Sequence, residues 1–322
     1  MQASVEVVGV DVAKAELVAA RYPAERISEV IPNATAAIQK WLQTLPEGCI
    51  IAMEATGRFH QLLAQLAHVE GFVVYVLNAR DVYFYARAVS ARGKTDRLDA
   101  GVIARYVAEH RDRLRPWQPA QGVPSQLQEL LGRRVMLTHQ LVTLRLSLNE
   151  VATLGETAHR LEQAYQTAFE EIDRQLEQLV DSEPALKQGV QRLRTITGFG
   201  AQAAIRLAAL FSRIKFDNAN AVVAYSGLDP RPSDSGTHKG TRHLSKRGPA
   251  LLRRQLYLAA FAACRSKALG HIYTSLRAKG FATTQALTIL ARKLLRVAWA
   301  IWQSGKTFDP SMVGTISACQ KP

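Results

Sequence analysis

VEVVGVDV at residues 5–12 and CIIAMEA at residues 49–55 decide the fold. Each is a β-branched, mostly apolar run with a carboxylate near its end, Asp11 in the first and Glu54 in the second. Such runs read as strands, and near-continuous apolar content suits strands covered on both faces. LVAARY (17–22) and ERISEVI (25–31) add two candidate strands between them, and FVVYVLN (72–78) adds one after. Residues from Arg58 to Val69 and from Arg80 to Val89 read as helices. A strand meander followed by alternating strands and helices predicts a mixed sheet with helices on its faces. RPWQPAQGVP (115–124) closes this region with turn-forming residues.

The pattern then changes. Leu130, Leu137, Leu141, Leu144, Leu148 and Val151 largely follow a 4-3 spacing, and Leu161, Tyr165, Ala168, Ile172, Leu176 and Leu179 resume it after a break near Gly155. This apolar stripe predicts a coiled coil or a long helical hairpin, packed on itself or on a second chain. Ser182-Glu183-Pro184 marks another break, and a helical, strongly basic region starts near residue 190. The expected division is therefore 1–124, 125–188 and 189–322.

Composition narrows the class. The chain has 322 residues, 48% hydrophobic and 21% charged, which is enough to bury real cores. No apolar run is long enough to span a membrane, and the opening residues lack the basic start of a secretory signal. Three scattered cysteines, Cys49, Cys264 and Cys319, suggest a reducing, cytoplasmic setting without a disulfide framework or zinc site. The formal net charge is +14. From Arg231 onward there are 16 Lys and Arg against two acids, Asp234 and Asp309, so the excess lies in the last third. A one-sided field of that size attracts polyanions and predicts a nucleic-acid surface.

Against that charge, four acids stand out. A carboxylate inside an apolar strand costs several kcal/mol unless it is paired or bound to metal. Asp96 and Asp99, in GKTDRLDAGVIARYVA, have the i, i+3 spacing that places both on one helical face. Singly, Asp11 can cap a turn, and Asp96 can cap a helix with Asp99 in its first turn. Together the four predict a divalent metal site of the kind that cuts phosphodiesters, with two ions about 4 Å apart. An all-oxygen set suits Mg²⁺ or Mn²⁺.

In the basic region, TITGFGAQAAIRLAAL (195–210) has the form of a helix–hairpin–helix. Gly198 and Gly200 would there present backbone N–H groups to a phosphate, or simply make a helix–helix turn. Ser233 and Ser235 lie in a Ser/Asp/Gly loop just before Lys239, Arg242, Lys246, Arg247, Arg253 and Arg254. A serine in such a loop is ordinarily a turn former. Ser245 reads as a helix cap or phosphate ligand, and Trp299 and Trp302 as core residues.

The Asp, Glu, Asp, Asp set resembles the ribonuclease-H-like nucleases of the RuvC type. VGVDVAKAEL, AMEATGRFH, GKTDRLDAGVIARY and HLSKRGPALLRRQLYLAA, in that order, resemble transposases of the IS110 family of insertion sequences. The resemblance spans nearly the whole chain. It implies a RuvC-like domain, a helical coiled coil and a mainly helical C-terminal transposase domain. It also implies that Asp11, Glu54, Asp96 and Asp99 hold Mg²⁺ or Mn²⁺, and that Ser235, with Ser233 as competitor, attacks DNA to form a phosphoserine link. It further implies donor and target DNA as partners, a noncoding guide RNA, a dimer or tetramer with composite sites, and a nucleoid-associated location. Three rival readings are a junction resolvase using water, an actin-like kinase or ATPase, and a non-catalytic nucleic-acid-binding protein.

Overall fold

A computed structural model describes residues 6–23, 28–57, 59–89, 96–119, 122–148, 151–231, 240 and 242–313, apart from the side chains of residues 28, 96–98, 152 and 312. The chain divides into two compact units, Met1–Ala120 and Gln121–Pro322.

The first unit is built on β1 (Val7–Val12), β2 (Glu16–Tyr22), β3 (Ser28–Pro32), β4 (Ile50–Glu54) and β5 (Val73–Leu77). Their order in the sheet is β3-β2-β1-β4-β5. β1 and β2 pair antiparallel, as do β2 and β3, whereas β4 runs parallel to both β1 and β5. The mixed sheet is thus the one expected from strands first in a meander and then alternating with helices. The helices are α1 (Thr35–Leu42), α2 (His60–Val69), α3 (Ala79–Ala88) and α4 (Asp96–His110). The sequence reading omitted α1, an eight-residue helix whose buried residues are Ile38, Trp41 and Leu42. It also began α2 two residues early.

The period-2 pleat sorts β1 between two cores. Val8, Val10 and Val12 join Ile51 and Met53 of β4 under α1 and α2. Val7 joins Ile50 and Ala52 of β4 under α3 and α4, with Val82, Val102, Ile103 and Val107. Odd positions of β1 and even positions of β4 therefore face α4. Gly9 lies directly beneath that helix: a Cβ there would sit 2.1 Å from the Ala100 carbonyl oxygen and 2.5 Å from the Ala104 nitrogen.

In the second unit, α5 (Gly122–Leu148) and α6 (Gly155–Asp181) form an antiparallel pair. Arg134 donates twice to Asp173 at 2.7 and 2.8 Å, and Arg145 twice to Glu162 at 2.9 and 3.0 Å. The two long helices thus lie side by side within one chain as a hairpin. Near its base the hairpin shares a core with the later helices, through Leu127, Leu131, Leu176 and Val180. Those helices are α7 (Pro184–Arg194), α8 (Ala201–Arg213), α9 (Ala219–Ser226), α10 (Ala250–Ala263), α11 (Gly270–Ala278) and α12 (Thr283–Ser304). Trp299 and Trp302 pack against this core, as read from their spacing.

Residues 203–211 of α8 are all buried, and among them is Arg206, only 8% exposed. Burial lowers its pKa, and its Nε has no hydrogen-bond partner. A buried cation whose hydrogen bonds are incomplete is a net cost. Arg206→Met, which keeps an unbranched side chain and removes the charge, is expected to stabilise the protein by roughly 1 kcal/mol. Thermal unfolding should show this as a rise of about 2–4 °C. A fall in midpoint would show that Arg206 supports the fold through its charge.

Candidate active site

Three of the four carboxylates can be placed through side chain and backbone. Asp11 is two residues beyond Gly9 on β1, so it shares the α4 face of the sheet. Glu54 is two beyond Ala52 on β4 and shares the same face. The last paired residues of these parallel strands are Val10 and Met53, so one further step sets Asp11 beside Glu54. Glu54 in turn pairs with Leu77 of β5.

The direction of α4 decides whether Asp96 and Asp99 come to the same end. Tyr22, which pairs with Val7 at the start of β1, clusters with Tyr106 near the helix C-terminus. Gly9 lies under Ala100 and Ala104. Advancing along β1 from Val7 towards Asp11 therefore retreats along α4 from Tyr106 towards Asp99. The helix runs antiparallel to β1, and its first turn lies at the Asp11 end. Asp11, Glu54 and Asp99 are all half-buried there. Asp96 begins α4, but its side chain lies outside the described residues.

An all-carboxylate donor set suits a hard divalent cation in its chemistry. Among the described residues, no group of three or more His, Cys, Asp or Glu side chains is close enough to hold an ion. The fourth acid, Asp96, is not part of that comparison.

Sequence reasoning missed the brace around this end. Asn33 donates through Nδ2 to the Ala13 carbonyl at 2.9 Å and to the Phe59 carbonyl at 3.3 Å. It thereby ties the β1–β2 turn to the segment that leads from β4 into α2. His60 opens α2 nearby, and burial holds its ring below the usual histidine pKa, with the Thr56 backbone opposing. An asparagine just after a strand carries no sequence signal beyond a turn, so its role as a tie needed the fold.

The basic site of the second unit is known by its frame. Ser233, Ser235, His238 and Lys239 lie outside the described residues. The residues on either side pair as β6 (Pro230–Arg231) and β7 (His243–Leu244), antiparallel, with Arg231 opposite His243. The ends of the serine segment are therefore held together. Below them, Ser245 is buried and donates to Asp229, while its own N–H bonds the Asp229 carbonyl at 3.0 Å. Asp229 also pairs with Arg231 at 3.0 Å. Ser245 therefore fixes the loop base; α10 begins only at Ala250.

Two backbone segments cross beneath this ladder. A Cβ on Gly248 would meet the Tyr225 carbonyl oxygen at 1.9 Å, and Gly227 (φ 70°) closes α9 against Arg247 and Gly248. Arg253 donates to the carbonyls of Ser226 and Gly248, so it joins the two segments. Its neighbour Arg254 is exposed, as are Arg242, Lys246 and Arg247. Exposed cations at the surface of this site include Arg242, Lys246, Arg247 and Arg254, beside Arg231 paired with Asp229, while Arg253 is turned to the protein's own backbone.

Gly198 has φ +93°, and a Cβ there would lie 2.4 Å from the Ala259 carbonyl oxygen of α10. Both the backbone angle and the close approach require glycine, whatever the turn touches outside. Gly200 caps α8 and is exposed.

A family profile described as transposase matches residues 8–155, and a profile for the transposase IS116/IS110/IS902 family matches residues 190–274. The first span contains all four carboxylates, and the second contains the serine loop and the crossing beneath it. The pilin gene-inverting protein of Moraxella bovis is 28% identical over 266 residues, 80% of this chain and 81% of that protein. Its counterpart in Moraxella lacunata is 27% identical over the same shares. An uncharacterized 43.6 kDa protein of insertion element IS110 from Streptomyces coelicolor is 31% identical over 122 residues, 37% of this chain and 30% of that one.

Proposed function

Since the chain belongs to the IS116/IS110/IS902 family of transposases and is a DNA-cleaving and DNA-joining enzyme, we propose that it exchanges strands through a serine nucleophile assisted by the carboxylate end of β1, β4 and α4. The observation that carries this reading is the placement of Asp11, Glu54 and the first turn of α4 on one face at one end of the sheet. Family membership sets aside the kinase and non-catalytic readings.

Asp11, Glu54, Asp96 and Asp99 would hold Mg²⁺ or Mn²⁺. Bound there, a divalent ion neutralises the phosphate and stabilises charge on the leaving oxygen. Ser235 supplies the nucleophile. Its Oγ forms a bond to phosphorus as the bond to the leaving sugar oxygen breaks, and its proton passes to solvent or to that oxygen. The strand is then held as a phosphoserine ester, and attack by another strand's hydroxyl reverses the step without hydrolysis. Arg242, Lys246, Arg247 and Arg254 surround the base of the serine loop, where cations stabilise a developing phosphorane.

Lysines and arginines concentrated after residue 230 support DNA as the partner, and they also suit an RNA whose base pairing selects the donor and target sites. The pilin gene-inverting relatives favour inversion or insertion of a DNA segment as the outcome. Exposed apolar residues along the α5–α6 hairpin, Val142, Leu146, Leu154 and Leu161, support self-association into a dimer or tetramer that shares its sites. The turn at Gly198 and Gly200, exposed at Gly200, suits a backbone contact to phosphate.

A trapping experiment tests the nucleophile. Labelled DNA incubated with protein and Mg²⁺, then denatured, is expected to leave label covalently attached, with the adduct on the peptide containing Ser235. Ser235→Ala should leave none, and Ser233→Ala should still form it. Strand cleavage without any protein-bound label would favour the resolvase chemistry in which water attacks.

A further inference from the structure

Helix α3 is covered on one side in the ordinary way, with Val82 in the core and Tyr85 and Ala86 packed against it. Its other side is unusual. Arg80, Tyr83, Phe84 and Arg87 form an exposed i, i+3, i+4, i+7 stripe, with Tyr83 56% and Phe84 48% exposed. The two rings meet edge to face, 5.4 Å between centroids. Each also carries a guanidinium: Arg80 lies 5.5 Å from the Phe84 ring, and Arg87 lies 5.8 Å from the Tyr83 ring and donates to its hydroxyl at 3.3 Å. Packing does not need these rings, and neighbouring large aromatics on a solvent face mark a binding surface.

The placement tells what the surface meets. Leu77, the β5 residue paired with Glu54, precedes α3 by two residues, and Val82 places the helix on the α4 face. Its first turn therefore rises from the sheet end and face that carry Asp11 and Glu54. A ligand for this stripe needs π faces for the rings and negative charge for the arginines. Bases in a duplex have their faces covered by their neighbours, so the matching partner is an unpaired strand.

The geometry points to the outer face of α3 as a stacking platform for an unpaired DNA strand at the carboxylate end, a role that rests on the DNA-cutting function proposed above. Tyr83 and Phe84 stack on bases, while Arg80 and Arg87 hold the rings in place and face the backbone phosphates.

The full-length chain, in chelator so that nothing is cut, can be titrated against fluorescein-labelled oligothymidine and against a duplex of equal length. Tyr83→Ala with Phe84→Ala is expected to weaken oligothymidine binding about tenfold or more, while duplex affinity changes less than about twofold. Tyr83→Phe with Phe84→Trp should restore binding, and leucine at both positions should not. Both residues are exposed, so the unfolding midpoint should stay where it is. No loss, an equal loss on both DNAs, rescue by leucine, or a loss confined to oligouridine RNA would each overturn the proposal. The assay reads binding without metal, so it stands apart from the proposed function: carboxylate variants that still cut DNA would sink that function and leave this result in place.

Discussion

Asp11→Asn is expected to reduce DNA strand cleavage by on the order of a thousandfold, with DNA affinity changed little. Asparagine fills the same half-buried space at the end of β1, so the sheet and its register should survive. The change removes one charge from a sheet end where Glu54 and the first turn of α4 bring others to the same face. Addition of Mg²⁺ or Mn²⁺ should then raise the midpoint of the parent protein and not that of the variant, because a ligand stabilises only the state that binds it. Cleavage within about tenfold of the parent would place the chemistry elsewhere.

A second large effect is expected from one methyl group. Gly9→Ala should destabilise the first unit by about 3 kcal/mol or more, at the upper end of overpacking costs. The new Cβ would overlap the Ala100 carbonyl and the Ala104 nitrogen, which are backbone and cannot swing aside. Helix α4 must lift from β1, and Asp96 and Asp99 would move with it. Cleavage should therefore fall even at temperatures where the variant remains folded. Gly101→Ala is the control, since a Cβ there meets nothing within 4 Å on the same helix. That change should be neutral or stabilise by about 0.5–1 kcal/mol. Urea unfolding of the two variants separates the cases, and equal midpoints would show that α4 does not sit tightly on β1.

Much of this was legible before the structure. A lone acid ending an apolar strand is a physical anomaly, and it appears twice, at Asp11 and Glu54. The mixed sheet followed from the order of strands and helices. The demand for glycine at position 9 was not legible, because it comes from a helix some 90 residues later in the chain. The 4-3 spacing predicted two long helices but not their partner. The ion pairs that decide it, Arg134–Asp173 and Arg145–Glu162, join residues 39 and 17 apart. Arg253 and Arg254 read alike as phosphate ligands, yet adjacent helical residues point about 100° apart. One reaches the carbonyls of Ser226 and Gly248, and the other faces out.

The crossing at Gly227 and Gly248, pinned by Arg253 and closed above by the β6–β7 pair, has a consequence for how such enzymes diversify. Arg231 and His243 lie opposite each other, so the chain on either side of the serine segment is tied at one place above the helices. Neither glycine tolerates a side chain, so variation among relatives should stop at the clasp.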